Sequence, residues 1–160
     1  MKKIVVLILL LGLFAAHHHN IFAALHEHDK NLYEEEVKDR FEEIFLQRAK
    51  LFNSLLTEND LKPIEIKVEL EKLETDPLLS EDVEIFTHIM EEPTCYELIN
   101  GFNIQEFKVV GLKNNIVMIE VVLLWELMGL NEITFEEITY NVEMIKKQDE
   151  WLLMDYRLVR

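Results

Sequence analysis

From Ile104 to Val159 the chain reads as four strands joined by short turns, and no other feature constrains its fold as much. The strands are expected at 104–112, 116–128, 133–146 and 151–159. Asn114-Asn115, Gly129-Leu130-Asn131 and Lys147-Gln148-Asp149-Glu150 fall between them, residue types that suit tight reversals. Turns this short force neighbouring strands to run antiparallel, so the C-terminal half should be a four-stranded meander.

Side chains alternate across a strand, so each strand has two faces. In 116–128, Val117, Ile119, Val121, Leu123, Trp125 and Leu127 form a wholly apolar face, while Glu120 and Glu126 point the other way. In 133–146, Ile138, Tyr140, Val142 and Met144 oppose Glu137, Thr139, Asn141 and Glu143. In 151–159, Leu152, Met154, Tyr156 and Leu158 are expected opposite Asp155 and Arg157. Helices covering the apolar face would leave the carboxylates in water.

Those helices precede the strands. Val37, Phe41, Ile44, Phe45, Phe52, Leu55 and Leu56 recur at three- and four-residue spacing, which predicts an amphipathic helix over 29–56 with Asp29 as its cap. Within 57–79, Ile64, Ile66, Val68 and Leu70 alternate as in a strand, but Ile66, Leu70 and Leu73 also fit a helix; Asp60 and Pro63 favour a short helix. A further helix is expected from Ser80 as N-cap, with Val83, Phe86, Ile89 and Met90 as its buried stripe and Pro93 as its end. Thr94 to Glu97 has capping-box spacing, so a helical turn should run toward Asn100 and stop at Gly101. The expected architecture is α+β, helical over 29–100 and stranded over 104–159.

The N-terminus reads as a targeting segment. Lys2-Lys3 precedes 13 apolar residues from Ile4 to Ala16, then His17-His18-His19-Asn20 and Ile21-Phe22-Ala23-Ala24. These are the three regions of a signal peptide, with cleavage expected after Ala23, leaving a single domain over 24–160. The competing reading is an uncleaved anchor, since Ile4 to Leu25 is long enough to span a bilayer. In either case the domain lies outside the cytoplasm, secreted or held at the membrane by its N-terminus. Five of the six histidines lie between His17 and His28, but cleavage would remove the triplet, and two histidines in a stub do not complete a metal shell. No metal or other cofactor is expected.

Composition narrows the function classes. The chain has 31 acidic and 16 basic residues, a net charge of −15. Such a surface repels phosphate backbones, so no nucleic acid is expected as partner. The single cysteine, Cys95, cannot form an internal disulfide, so the domain must rest on its hydrophobic core. No His-Glu-x-x-His, Gly-rich phosphate loop or nucleophile motif is present. His88 lies on or beside a helix stripe, where a structural role is the expectation.

"FKVVGLKNNIVMIEV" (107–121) and "ITYNVEMIKKQDEWLLMDYRLV" (138–159) resemble the strand–turn–strand and closing hairpin of the nuclear-transport-factor-2-like (cystatin/ketosteroid-isomerase-like) cone fold, closest to small exported bacterial members. The resemblance implies helices packed on a curved, cone-like meander. That fold hosts enzymes, ligand-binding modules and bare interaction domains, so the resemblance does not select among them. Its isomerase-like enzymes keep an acid or base inside the cone. Here the apolar faces offer Tyr140, Tyr156, Trp125 and Tyr96, and no carboxylate is expected among them. The leading expectation is therefore a non-catalytic extracytoplasmic module for a protein, an envelope component or a small apolar ligand, with a homodimer as one form such contact can take. The alternative is a small-pocket enzyme using Glu120, Glu126 or Asp155 as acid or base and Tyr140 as hydrogen-bond donor. A third reading is a cation-buffering acidic protein on an uncleaved anchor.

Overall fold

The computed structural model describes residues 33–57, 61–92, 97–129 and 132–159. The expected targeting segment, His17 to His28, Asp29, Asp60, Pro93, Cys95, Tyr96 and Leu130-Asn131, where a turn is expected, lie outside the described residues. The chain divides into two compact units, Met1–Glu36 and Val37–Arg160. Of the first, residues 33–36 are described and are helical. The second contains the sheet and nearly all of the described helical residues.

The architecture is α+β: among the described residues, three helices lie on a four-stranded antiparallel sheet. Helix α1 covers 33–57, α2 Pro63–Leu70 and α3 Leu78–Glu91. Strands β1 (Leu98–Lys113), β2 (Ile116–Met128), β3 (Ile133–Lys147) and β4 (Glu150–Leu158) pair in chain order, as the turn lengths require. Asn114-Asn115 and Gln148-Asp149 all take positive φ, the left-handed pair that closes a two-residue hairpin with the twist of its strands. The last turn is thus two residues long, and Lys147 and Glu150, expected in it, pair across the ladder.

Strand β1 starts six residues before the expected 104. Leu98 and Ile99 pair with β2 and Asn100 lies within the same strand, so the helical turn expected to run to Asn100 is absent there. Asn53 explains the early start. Its side-chain amide donates to the Ile99 carbonyl at 2.7 Å and accepts from the Ile99 N–H at 2.9 Å, tying the C-terminal part of α1 to the start of the strand. Three register shifts interrupt β1, between Ile99 and Gly101, Ile104 and Glu106, and Val109 and Gly111. Bulges of this kind bend a strand and increase its twist.

The inner face of β2 and β3 is as expected. Val117, Ile119, Val121, Leu123, Tyr140, Val142 and Met144 are buried under the helices. The first half of β4 is inverted relative to expectation. Glu143 pairs with Asp155 but Met144 with Leu153, so Met154 is an extra residue and alternation slips by one. Trp151 and Leu153 are therefore the buried residues, in place of Leu152 and Met154, and Tyr156 regains the inner face only past the bulge.

Segment 63–70 is a helix because its partners select one face: Ile66 and Leu70 are fully buried while Ile64 and Val68 are exposed. With Leu55, Phe86 and Ile89 they form a cluster among the three helices. Pro63 occupies the first turn, where its missing N–H costs nothing, and the preceding N-cap position falls on Lys62. The chain then leaves α2 and lies beside β4. Thr75 N–H donates to the Leu153 carbonyl and Leu153 N–H to the Leu73 carbonyl, both at 2.9 Å. Helix α3 begins at Leu78, before the expected Ser80, with Pro77 at the N-cap position. Ser80 instead donates its hydroxyl to Asp76 at 2.6 Å.

Candidate functional site, a pocket backed by a buried ion cluster

Helices α1 and α3 do not close over the whole sheet. Between them and the inner face of β2, β3 and β4 is a pocket of about 320 Å³. The helices contribute Phe45, Arg48, Ala49, Phe52, Ile85, Phe86 and Ile89, and the sheet contributes Ile99, Trp125, Leu127, Glu136, Ile138, Tyr140 and Tyr156. The wall is mostly apolar, and six of its 14 residues are aromatic. Phe45 sits at its centre, 6.3 Å from the rings of Trp125 and Tyr140 and 5.9 Å from that of Tyr156. The volume is at the small end of the range for ligand sites, and an apolar lining with few polar groups is the usual composition of one.

Two phenols supply the neutral hydroxyls of the wall. Trp125 Nε1–H donates to the Tyr140 hydroxyl at 3.1 Å, and Arg48 Nη2–H donates to the Tyr156 hydroxyl at 3.1 Å. Each oxygen thus accepts a hydrogen bond, which leaves its own O–H as a donor. Burial, more than any other influence, pushes both hydroxyls above the ordinary phenol range, so both stay neutral.

Behind Arg48 is a buried ion cluster that the sequence reading did not identify. Arg48 is 8% exposed, Glu74 1% and Asp82 2%. Arg48 Nη2 hydrogen-bonds Asp82 Oδ2, and Arg48 Nε lies 2.9 Å from Glu74 Oε1. The guanidinium carbon is 4.6 Å from the centre of the Tyr156 ring and 5.7 Å from that of Phe45, positions that favour cation–π attraction. One cation can neutralise one carboxylate, and a second buried negative charge would be costly. The Nε contact is not a directed hydrogen bond, and neither Glu74 oxygen accepts one. Desolvation therefore dominates: it pushes Glu74 up to about 8, against the opposing pull of Arg48, with Asp82 adding to the rise. Near neutral pH Glu74 keeps its proton and can donate it toward Asp82, and the cluster as a whole is uncharged. Arg48 itself is raised; burial works against its charge, but Tyr156, Glu74 and Asp82 together outweigh that.

The carboxylates expected as candidates lie elsewhere. Glu120 is exposed, Glu126 accepts a hydrogen bond from Asn100, and Asp155 is 2.6 Å from Arg157, all on the face away from the helices. None of the three lines the pocket, whereas Tyr140, Tyr156 and Trp125 do. One expectation needs correcting: the inner face does hold a carboxylate, since Glu136 shares the alternation of Ile138 and Tyr140 and stands exposed at the pocket's open end. His88 is exposed on α3. Among the described residues no group of three or more His, Cys, Asp or Glu is placed to hold a metal ion, and no helix is long and apolar enough to cross a membrane.

No protein-family model matches the chain, and no curated protein is significantly similar to it. Among solved structures it is similar to the intermembrane-space region of the chloroplast protein ARC6, at 11% identity and a TM-score of 0.44, covering 74% of this chain and 92% of that one. It is also similar to a de novo designed β-sheet protein, at 18% identity and a TM-score of 0.33, covering 76% and 88% respectively. Likenesses this distant carry no functional argument.

Proposed function

We propose that this domain is a non-catalytic binding module that takes up a small, mainly apolar molecule bearing a hydrogen-bond acceptor. The observation that supports this is the pocket wall: aromatic and aliphatic side chains around two neutral phenols, each with an O–H left to donate. The apolar lining would remove the body of the ligand from water, and the phenols would fix the orientation of a carbonyl, ether or hydroxyl oxygen. The enzymatic alternative would use Glu120, Glu126 or Asp155, and all three face away from this pocket. The domain is proposed to act outside the cytoplasm, on the strength of Lys2-Lys3 and the apolar run that follows. A nuclear-transport-factor-2-like origin is part of the same proposal.

The test is a titration of the purified domain with neutral aromatic alcohols and ketones, read from the indole N–H resonances. Binding should shift the Trp125 signal, and Tyr140→Phe with Tyr156→Phe should weaken ketones more than the corresponding hydrocarbons. Steady turnover of any of these compounds, abolished by Glu120→Gln, Glu126→Gln or Asp155→Asn in a folded protein, would overturn the non-catalytic reading. For export, N-terminal sequencing of protein collected outside the cytoplasm should begin near Ala24; intact Met1 in a soluble cytoplasmic fraction would overturn it.

A further inference from the structure

The charges around the pocket are unequal in their compensation. Among the described residues Arg48 is the one cation on the wall, and its charge is answered by Asp82 in the cluster behind it. Among the described residues Glu136 is the one anion on the wall, and no cation pairs with it. Strand alternation puts it on the same face as Ile138 and Tyr140, at the end of the pocket that meets solvent. The net uncompensated charge of the lining is therefore negative and lies at the mouth. Trp125, Tyr140 and Phe45 stand near one another inside it, and the electron-rich faces of such rings attract cations. On the larger scale a net charge of −15 draws cations toward the protein and keeps anions away.

Building on the binding reading above, we infer that the ligand is an aromatic or aliphatic amine, with its apolar body among the rings and its ammonium group at the mouth beside Glu136. An anionic ligand of the same shape would meet the carboxylate of Glu136 and the acidic surface. A neutral one would leave Glu136 unpaired in either state and gain nothing from it. The uncharged state of the Arg48 cluster matters here as well, because an uncompensated guanidinium at the inner end would favour the opposite sign.

The experiment compares 2-phenylethylamine, 2-phenylethanol and phenylacetate, which share a ring and differ in the charge of the chain end. Binding is measured on the full domain at low and high salt, by the Trp125 indole resonance and by calorimetry. The amine should bind on the order of tenfold more tightly than the alcohol, from an exposed ion pair and a cation–π contact together. Phenylacetate should bind more weakly than either. Glu136→Gln should remove roughly threefold to fivefold of the amine's affinity and change that of the alcohol by much less, and high salt should act as that substitution does. Alcohol binding equal to or tighter than amine binding overturns the inference and leaves the binding reading intact, as does an amine affinity indifferent to Glu136→Gln. Failure of all three compounds to bind overturns both.

Discussion

Arg48 Nε and Glu74 Oε1 lie 2.9 Å apart, with both side chains almost wholly removed from water and no directed hydrogen bond between them. The pair joins α1 to the segment that runs beside β4, and Asp82 brings in α3. Three separate elements therefore meet at one charged point directly behind the pocket. A buried ion pair is weak evidence for stability, because desolvating the charges offsets much of their attraction. Its geometry nevertheless makes each partner sensitive to loss of the others.

Proton linkage at Glu74 should be measurable. Its folded value is raised to about 8 from an ordinary carboxyl near 4.5. A raised value means that the folded state binds the proton more tightly. The corresponding stability is fully present below about pH 4.5 and is lost as pH rises through about 8. Glu74→Gln keeps the shape and carries no charge, so it should match the parent near pH 5 and exceed it by a few kcal/mol at pH 9. Denaturant melts from pH 5 to 9 check this. A difference between the two proteins that does not vary with pH would contradict it.

Removing one ion partner should cost more than removing all three. Asp82→Ala leaves the Arg48 guanidinium buried beside a carboxyl that now has to ionise or stay unmatched, and should destabilise by about 3–5 kcal/mol. A combined Arg48→Met, Glu74→Leu, Asp82→Leu protein should lose less than Asp82→Ala alone. Urea unfolding of the two variants ranks them.

The bulge at Met154 decides which β4 residues carry the core. Leu153→Ala should cost about 2–5 kcal/mol, since the side chain is fully buried. Leu152→Ala, one residue away and half-buried, should cost clearly less. Trp125→Ala should also cost less than a fully buried tryptophan would, because Trp125 is half-buried on the pocket wall while Trp151 is buried. Glu120→Gln on the exposed face should change stability by no more than about 0.5 kcal/mol. Equal losses at Leu152 and Leu153 would contradict the bulge.

The meander and its apolar face were legible because short turns and period-two alternation are local signals. Glu137, Asn141 and Glu143 fell on the correct side for the same reason. Alternation failed where one residue was inserted, at Met154, since a bulge leaves no mark in the spacing of apolar residues. The helical turn expected to run to Asn100 failed because Asn53, remote in sequence, recruits Ile99 into the sheet. The ion cluster left a trace that went unread. Arg48 lies four residues from both Ile44 and Phe52, and Asp82 lies four from Phe86, so each occupies a buried stripe as a charge of opposite sign to the other. Two such misfits on different helices satisfy each other when the helices pack. Glu74 had no comparable signal, because its burial depends on segment 73–75 docking beside β4. Glu136 was legible as a member of the Ile138–Tyr140 face and was passed over.

The most direct test of the pocket as the working site is a ligand titration followed by backbone and indole NMR on the parent and on Ile138→Trp, whose larger side chain fills the cavity from the sheet side. Shifts should centre on Trp125, Tyr140, Ile89 and Glu136 in the parent and disappear in the folded variant. Shifts centred on Met118, Asn141 and Asp155 on the opposite face, or binding that survives Ile138→Trp unchanged, would contradict the account.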